Sequence, residues 1–264
     1  MSDDRFALWG QTPAQSAAPR DLAEVQDVVR RAQGWAIVPW GGGTRQHVGY
    51  IPAQYDLALS TENLNVVTDY QPADLTVTAQ AGVTLAQLQN ILAEHGQWLP
   101  LDIAQPERQT IGGIVAARAD SLRRLAFGSV RDSLLGVSVV NAGGEIVKGG
   151  GKVVKNVAGF DLPKLFTGSL GTLGAIVTAT FRVYPREASA STVLLRSNDN
   201  DGLGALAVRL LATTLVPSAI DLTGTLGAAE QTLAIRFEGS AAACDDQVRE
   251  LLALADPLGA TSET

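Results

Sequence analysis

The chain has 264 residues, of which 46% are hydrophobic and 18% charged, and a formal net charge of −7. That length can bury a sizeable core in one or two domains, and the acidic balance argues against nucleic acid, which needs a basic face. The single cysteine, Cys244, excludes an intrachain disulfide, a thiolate zinc cage and a self-contained iron–sulfur cluster, and the two histidines, His47 and His95, are too few for a histidine-rich metal site.

The first twenty residues hold Asp3 and Asp4 and no apolar run, so no signal peptide is expected. No segment approaches the roughly 18 uninterrupted apolar residues of a membrane span. The expected location is cytoplasmic, with membrane association only through partners. Asp21-Leu22-Ala23-Glu24 resembles a capping box, and Leu22, Val25, Val28 and Val29 continue at helical spacing to a stop at Gly34. A buried strand at 35–38 then feeds into a glycine turn, Pro39-Trp40-Gly41-Gly42-Gly43-Thr44. Strands are expected at 56–59 and 76–79. Thr84-Leu85-Ala86-Gln87 is a second capping box, opening a helix with Leu85, Leu88, Ile91 and Leu92 on one side and Gly96 at its end. Leu99-Pro100-Leu101 leads on to a second glycine turn, Thr110-Ile111-Gly112-Gly113. Gly143-Gly144 is the turn of an expected hairpin between 137–140 and 145–147. From 176 to 184 the chain alternates, with Val177, Ala179, Phe181 and Val183 facing one way and Thr178, Thr180 and Arg182 the other, and Pro185 closes the strand.

Composition changes after Arg186. Strands at 192–195, 219–222 and 233–237 and helices at 203–211 and 245–254 spell strand, helix, strand, strand, helix, which is most of a split βαβ unit. The polar ending Thr261-Ser262-Glu263-Thr264 predicts that the last strand of that unit is missing.

Consecutive glycines remove the Cβ barrier to positive φ, so successive N–H groups can point into one concavity. Two such turns suit a pyrophosphate, which points to a nucleotide cofactor held by main chain rather than by basic side chains. Thr44 adds a hydroxyl donor. The dinucleotide fingerprint of a Rossmann domain is absent, because Gly168-Ser169-Leu170-Gly171-Thr172-Leu173-Gly174 leads into a strand and not a helix. That run suits close packing of backbone on a flat ring. His47 follows the first turn, where the choice is between an exposed loop residue and a catalytic or flavin-linking one. His95, at a helix end, gains from the dipole. Lys155 and Asp161 read as a salt bridge across a loop, Arg131-Asp132 as structural, and Arg123-Arg124 as either surface residues or phosphate contacts.

Residues 39–185 closely resemble the FAD-binding domain of the vanillyl-alcohol oxidase/PCMH flavoprotein family. The resemblance is carried by both glycine turns and by Gln80-Ala81-Gly82-Val83-Thr84-Leu85, Leu99-Pro100-Leu101-Asp102 and Phe127-Gly128-Ser129-Val130-Arg131-Asp132. It continues in Val154-Lys155-Asn156-Val157-Ala158-Gly159-Phe160-Asp161-Leu162 and the glycine run at 168–174. The start, Phe6-Ala7-Leu8-Trp9-Gly10-Gln11-Thr12-Pro13, and the Val-Lys-Asn-Val-Ala-Gly segment are similar to the FAD-binding subunits of glycolate oxidases.

The resemblance implies an α+β fold: a PCMH-type FAD-binding domain of two α+β subdomains at 1–187, then a short, incomplete ferredoxin-like α+β cap at 188–264. It implies FAD as cofactor. The pyrophosphate would lie between Gly41, Gly42, Gly43 and Thr44 on one side and Thr110, Gly112 and Gly113 on the other. Pro100 and Leu101 would line the flavin, Gly171, Leu173 and Gly174 the ribityl or ring region, and Ile176 would meet the adenine through its backbone. The chain departs from the family at Ala116-Ala117-Arg118-Ala119, where small residues and an asparagine are usual, and at Trp40, where many members carry arginine.

Family members that oxidise 2-hydroxy acids carry histidines in the second domain, and here none follows His95. A base must stand within reach of the substrate hydroxyl, and this region offers only carboxylates such as Asp221. The implied role is an FAD-binding subunit of a glycolate (2-hydroxy acid) oxidase, passing electrons from a catalytic flavoprotein subunit towards an iron–sulfur subunit. A stand-alone FAD-linked oxidase and a flavin-free structural subunit are the alternatives.

Overall fold

A computed structural model describes residues 4–151, 159–225 and 230–264. The chain divides into two compact units. One holds the described residues up to Asp120 together with Ser129–Pro185, and the other Ser121–Gly128 with the described part of Arg186–Thr264.

The first unit opens with strand β1 (Gln15–Ala17), helix α1 (Leu22–Arg31), β2 (Ile37–Trp40) and β3 (Leu57–Ser60). The Asp21 carboxylate accepts from the Glu24 N–H at 2.8 Å and caps α1, whose Val25 and Val29 are buried. β1, β3 and β2 form a parallel sheet in that order, with β2 beside β3 in the register Ile37 to Leu57 through Trp40 to Ser60. The strand expected at 35–38 therefore begins two residues later and runs to the edge of the glycine turn.

Next come β4 (Val67–Gln71), β5 (Thr76–Gln80), α2 (Leu85–Ala93), β6 (Gln97–Trp98) and α3 (Ile111–Ala117). α2 has the capping box read from the sequence: Thr84 Oγ1 accepts from Gln87 N–H at 3.2 Å, and Gln87 Oε1 accepts from Thr84 N–H at 2.9 Å. Leu85, Leu88 and Leu92 bury its apolar side. After two short helices, α4 (Arg124–Phe127) and α5 (Val130–Ser133), follow β7 (Leu134–Val140), β8 (Ile146–Gly150), α6 (Leu162–Phe166), β9 (Ala175–Arg182) and β10 (Tyr184–Pro185). An antiparallel sheet runs β4-β5-β9-β7-β8, and β10 pairs with β6. Val177, Ala179, Phe181 and Val183 are fully buried, as the alternation requires. Phe181, Leu85, Ile111 and Ile114 meet in the larger core, and Val177, Val25 and Leu59 meet in a smaller one.

The second unit continues with β11 (Ser189–Ser197), α7 (Asn200–Leu210), β12 (Ala219–Gly224), β13 (Gln231–Gly239), α8 (Ala241–Ala255) and β14 (Thr261–Glu263). The last strand, expected to be missing, is present: Thr261, Ser262 and Glu263 pair antiparallel with Arg196, Leu195 and Leu194. Every residue of β14 is exposed, so it has no buried side to impose an apolar pattern. The sheet order β12-β13-β11-β14 completes the split βαβ arrangement. Val193, Leu195, Leu233, Ile235 and Phe237 face α7 and α8 across an apolar core that also takes Cys244. On the opposite face Glu238 Oε1 accepts from Arg236 Nε at 2.7 Å and from Arg123 Nη1 at 2.9 Å, with the Glu238 side chain 6% exposed.

One exposed ion pair contributes to the acid response of the first unit. Arg131 Nη2 donates to both Asp161 oxygens, at 2.5 and 2.6 Å, while Asp161 caps α6 by accepting from Lys164 N–H at 3.0 Å. The Arg131 hydrogen bond holds the Asp161 carboxyl below its usual range. A carboxylate with a lowered folded value contributes stability above its unfolded value and loses it as pH falls through the folded one. Asp161→Asn is therefore expected to flatten the melting temperature's decline below about pH 4 while leaving pH 7–9 melts parallel to wild type. Thermal melts across that range check it.

Candidate functional site

Gly41, Gly42, Gly43 and Thr44 leave the end of β2 and form one wall of a solvent-open cleft. Each glycine faces a different neighbour, closer than a Cβ tolerates at Gly41 and Gly42 and tightly at Gly43. A Cβ on Gly41 would lie 2.2 Å from Thr110 Oγ1, one on Gly42 1.6 Å from the Arg108 carbonyl oxygen, and one on Gly43 3.2 Å from the Trp40 indole nitrogen. Gly43 also holds φ +69°, where L-residues are strained. The glycines thus serve first to bring the two turns together.

The turn before α3 is fixed from the other side. Arg108 Nη2 donates to the Gly42 carbonyl at 3.3 Å, and Thr44 Oγ1 donates to Gln109 Oε1 at 3.1 Å. Leu85 N–H donates to the Gln109 carbonyl at 2.7 Å, which ties the same turn to the start of α2. Below it Trp40 is buried, its ring edge-on to Phe6 at 5.4 Å, and its carbonyl accepts from Thr61 N–H at 2.9 Å.

The two turns differ in what their N–H groups do. Ile111 and Gly112 donate to the Val83 and Ala81 carbonyls at 2.8 Å, and Gly113 N–H approaches its own N-cap, Thr110 Oγ1, at 3.4 Å. Among the described residues, no acceptor takes the N–H of Gly41, Gly42, Gly43 or Thr44. Four consecutive main-chain donors of the first turn are left for a ligand, which is the anion-binding property of such turns. Arg45 adds a cation at the same wall: its Nε is buried and has no protein acceptor among the described residues. Sequence reasoning looked for main-chain donors alone and passed over Arg45; its place two residues after the last glycine was the available signal.

Of the residues singled out from sequence, Gly41, Gly42, Gly43, Thr44, Thr110, Gly112, Gly113, Gly171, Gly174 and Ile176 line this one cleft. Gly171, at φ +76°, lies where a Cβ would be 3.2 Å from the Pro39 ring, and Gly174 where one would be 2.7 Å from the Val140 carbonyl. Leu173 lines an adjoining cleft with Trp35, Leu59 and Asn141, which shares Pro39, Gly171 and Gly174 with the first. Pro100 and Leu101 do not line either cleft; both are buried, Leu101 in the larger core. Ala116, Ala117, Gln46, Val48, Thr61 and Leu170 complete the lining.

The other candidates fall elsewhere. His47 is exposed and outside the lining, and His95 is exposed with its ring edge-on to Tyr70 at 5.4 Å. Arg123 pairs with Glu238 in the second unit, and neither it nor Arg124 lines the cleft. Asp161 pairs with Arg131, whereas Lys155 lies outside the described residues, as does most of the Val-Lys-Asn-Val-Ala-Gly motif. Asp221 is half-buried on β12. No group of three or more metal-ligating side chains occurs among the described residues.

Residues 13–150 match the family model of the FAD binding domain, just over half of the chain. Over 71% of its length the chain is 38% identical to a D-2-hydroxyglutarate dehydrogenase of Xanthomonas citri pv. viticola, covering 40% of that protein. Over 83% of its length it is 31% identical to the glycolate oxidase subunit GlcD of Bacillus subtilis, covering 47%. The chain thus spans about half the length of the curated relatives it matches. Among solved structures, an alkyldihydroxyacetonephosphate synthase superposes with TM-score 0.80 at 18% identity, over 96% of this chain and 52% of that one. The BBE-like 1 protein of Physcomitrella patens follows with TM-score 0.73 at 23% identity, over 98% and 57%. The chain belongs to the FAD binding domain family, and FAD is its cofactor. The residues present fit that group: four unengaged N–H donors and a buried guanidinium edge suit its pyrophosphate.

Gly42→Ala is expected to force the first turn off the Arg108 carbonyl at a cost of about 1–3 kcal/mol. Gly143→Ala, whose added Cβ comes no nearer than 3.3 Å to the Asn141 side chain, should cost less than half as much. Urea titrations of the two variants measure the difference.

Proposed function

We propose that this FAD binding domain is the flavin-carrying subunit of a 2-hydroxy acid oxidase or dehydrogenase, glycolate being the first substrate to test, with a catalytic flavoprotein and an iron–sulfur protein as its partners. The observation that carries the reading is the first turn, with four unengaged N–H groups beside the buried Arg45 Nε, in one cleft with Gly171, Gly174 and Ile176. The names of two relatives, a D-2-hydroxyglutarate dehydrogenase and a glycolate oxidase subunit, support this substrate class. No helix among the described residues is long and apolar enough to cross a membrane.

Bound FAD supplies a two-electron acceptor for oxidation of an alcohol carbon to a carbonyl. The chain's own residues bind and orient it. The N–H groups of Gly41, Gly42, Gly43 and Thr44 and the Arg45 guanidinium take the pyrophosphate oxygens. Thr110, Gly112 and Gly113 close the opposite wall, and Gly171 and Gly174, which pack without side chains against Pro39 and Val140, line the same cleft. Ile176, at the start of β9, offers its main chain to the adenine end. Oxidation also needs a base at the substrate hydroxyl. This chain brings no histidine after His95, and Glu238, the buried carboxylate of the second unit, is held by Arg123 and Arg236. In the subunit reading, that base comes from a partner polypeptide.

The chain purified alone is expected to be yellow and to keep its visible flavin absorption when glycolate or D-2-hydroxyglutarate is added without air. Rapid bleaching by either acid would instead make it a self-sufficient oxidase. Arg45→Gln should weaken FAD binding about tenfold, the value of one charge-assisted hydrogen bond, read by fluorescence titration of the apoprotein. Unchanged affinity would remove Arg45 from the site.

A further inference from the structure

Trp40 stands immediately before the three glycines, and it is packed firmly on its apolar side. Its ring lies edge-on to Phe6 at 5.4 Å in a core with Leu8, Tyr55 and Ala58, and the Tyr55 hydroxyl donates to the Phe6 carbonyl at 3.0 Å. Thr61 fixes the backbone of the same residue: its N–H and its Oγ1 donate to the Trp40 carbonyl at 2.9 and 3.3 Å.

An indole N–H in a packed ring ordinarily finds an acceptor. Trp40 is only 8% exposed, yet its Nε1 has no acceptor among the described residues. That nitrogen is not sealed in the core, since it keeps solvent access and Trp40 lines the cleft. The nitrogen-bearing edge of the ring faces Gly43, where a Cβ would stand 3.2 Å from Nε1, 3.3 Å from Cζ2 and 3.4 Å from Cε2. The unengaged N–H of the indole and the glycine turn's own donors are therefore neighbours at one wall.

The Thr44 hydroxyl, the other neutral side-chain donor next to the glycines, is already committed. Gln109 Nε2 donates to the Ala104 carbonyl at 3.2 Å, so Oε1 is the atom that faces Thr44. The single hydroxyl proton of Thr44 is spent on that oxygen at 3.1 Å. A ligand oxygen at this wall meets only lone pairs on Thr44, but a proton on the indole.

We propose that the Trp40 indole N–H is a cofactor-binding donor, which takes a phosphate oxygen beside the N–H groups of the glycine turn and the Arg45 guanidinium. The inference rests on the reading of this cleft as the FAD site. It gives the wall one neutral side-chain donor next to its charged one, and packing against Phe6 holds that donor in place before the ligand arrives.

Nuclear magnetic resonance of the isotope-labelled full chain tests it directly. Four indole N–H resonances are expected, from Trp9, Trp35, Trp40 and Trp98, and the substitutions Trp9→Phe, Trp35→Phe and Trp98→Phe identify the other three. Adding FAD should move the Trp40 resonance downfield, as a charge-assisted hydrogen bond requires. Trp40→Phe, which keeps a ring against Phe6, should weaken FAD binding about tenfold. Disturbed packing in that variant would lower affinity too, but it would not move a resonance of the wild-type protein. Uptake of FAD with the Trp40 resonance unmoved, or unchanged affinity in a folded Trp40→Phe, would overturn the inference and leave the cofactor reading standing. A chain that takes up no FAD would overturn both.

Discussion

The architecture of the site depends on one close approach. The Gly42 backbone lies against the Arg108 carbonyl, and Gly41 against Thr110, at separations that exclude even a methyl group. This contact joins the end of a parallel strand, β2, to the start of α3, which packs in the antiparallel sheet's core. Gly82 extends it: a Cβ there would stand 1.9 Å from the Thr61 carbonyl, so the turn from β5 into α2 also presses on the β3 end. Two backbone-to-backbone contacts, at Gly42 and Gly82, and one of the Gly41 backbone with the Thr110 side chain therefore hold two sheets at a fixed spacing, and the cleft is the gap left beside them.

An acidic protein that binds an anionic cofactor needs a reason for doing so. At physiological ionic strength the field of the net charge is screened beyond about 8 Å, whereas N–H groups and a guanidinium act at contact distance. The asymmetry between the turns sharpens this point. The second turn gives its N–H groups to Val83 and Ala81 and so fixes position. The first has its N–H groups unengaged and, with Arg45 next to it, carries the local positive potential.

Much of this was legible in the residues. The Thr84 capping box, the alternation through β9 and the glycine turns are local signals, and each appears in the structure where its pattern places it. The FAD-binding family was legible too, because its motifs are turns whose residue types are dictated by close backbone approach. What escaped has physical causes. β14 is an exposed edge strand of Thr, Ser and Glu, held by main-chain pairing that needs no apolar pattern. Pro100 and Leu101 look like cofactor lining by motif, but their burial in the core depends on residues distant in sequence. Arg45 offered only its place in the chain, and the partner of Arg123, 115 positions further on, left no local trace.

That last pairing bears on how the chain is made. Synthesis proceeds from the N-terminus, and domains tend to fold as units while it does so. Ser121–Gly128 belongs with the second unit yet leaves the ribosome before any of β11 to β14 exists. Until β13 is translated, the Arg123 guanidinium has no Glu238 to meet, and Leu122 and Leu125 have no α7 beside them. The second unit is thus completed by a segment that must wait for the last third of the chain before its own packing partners exist.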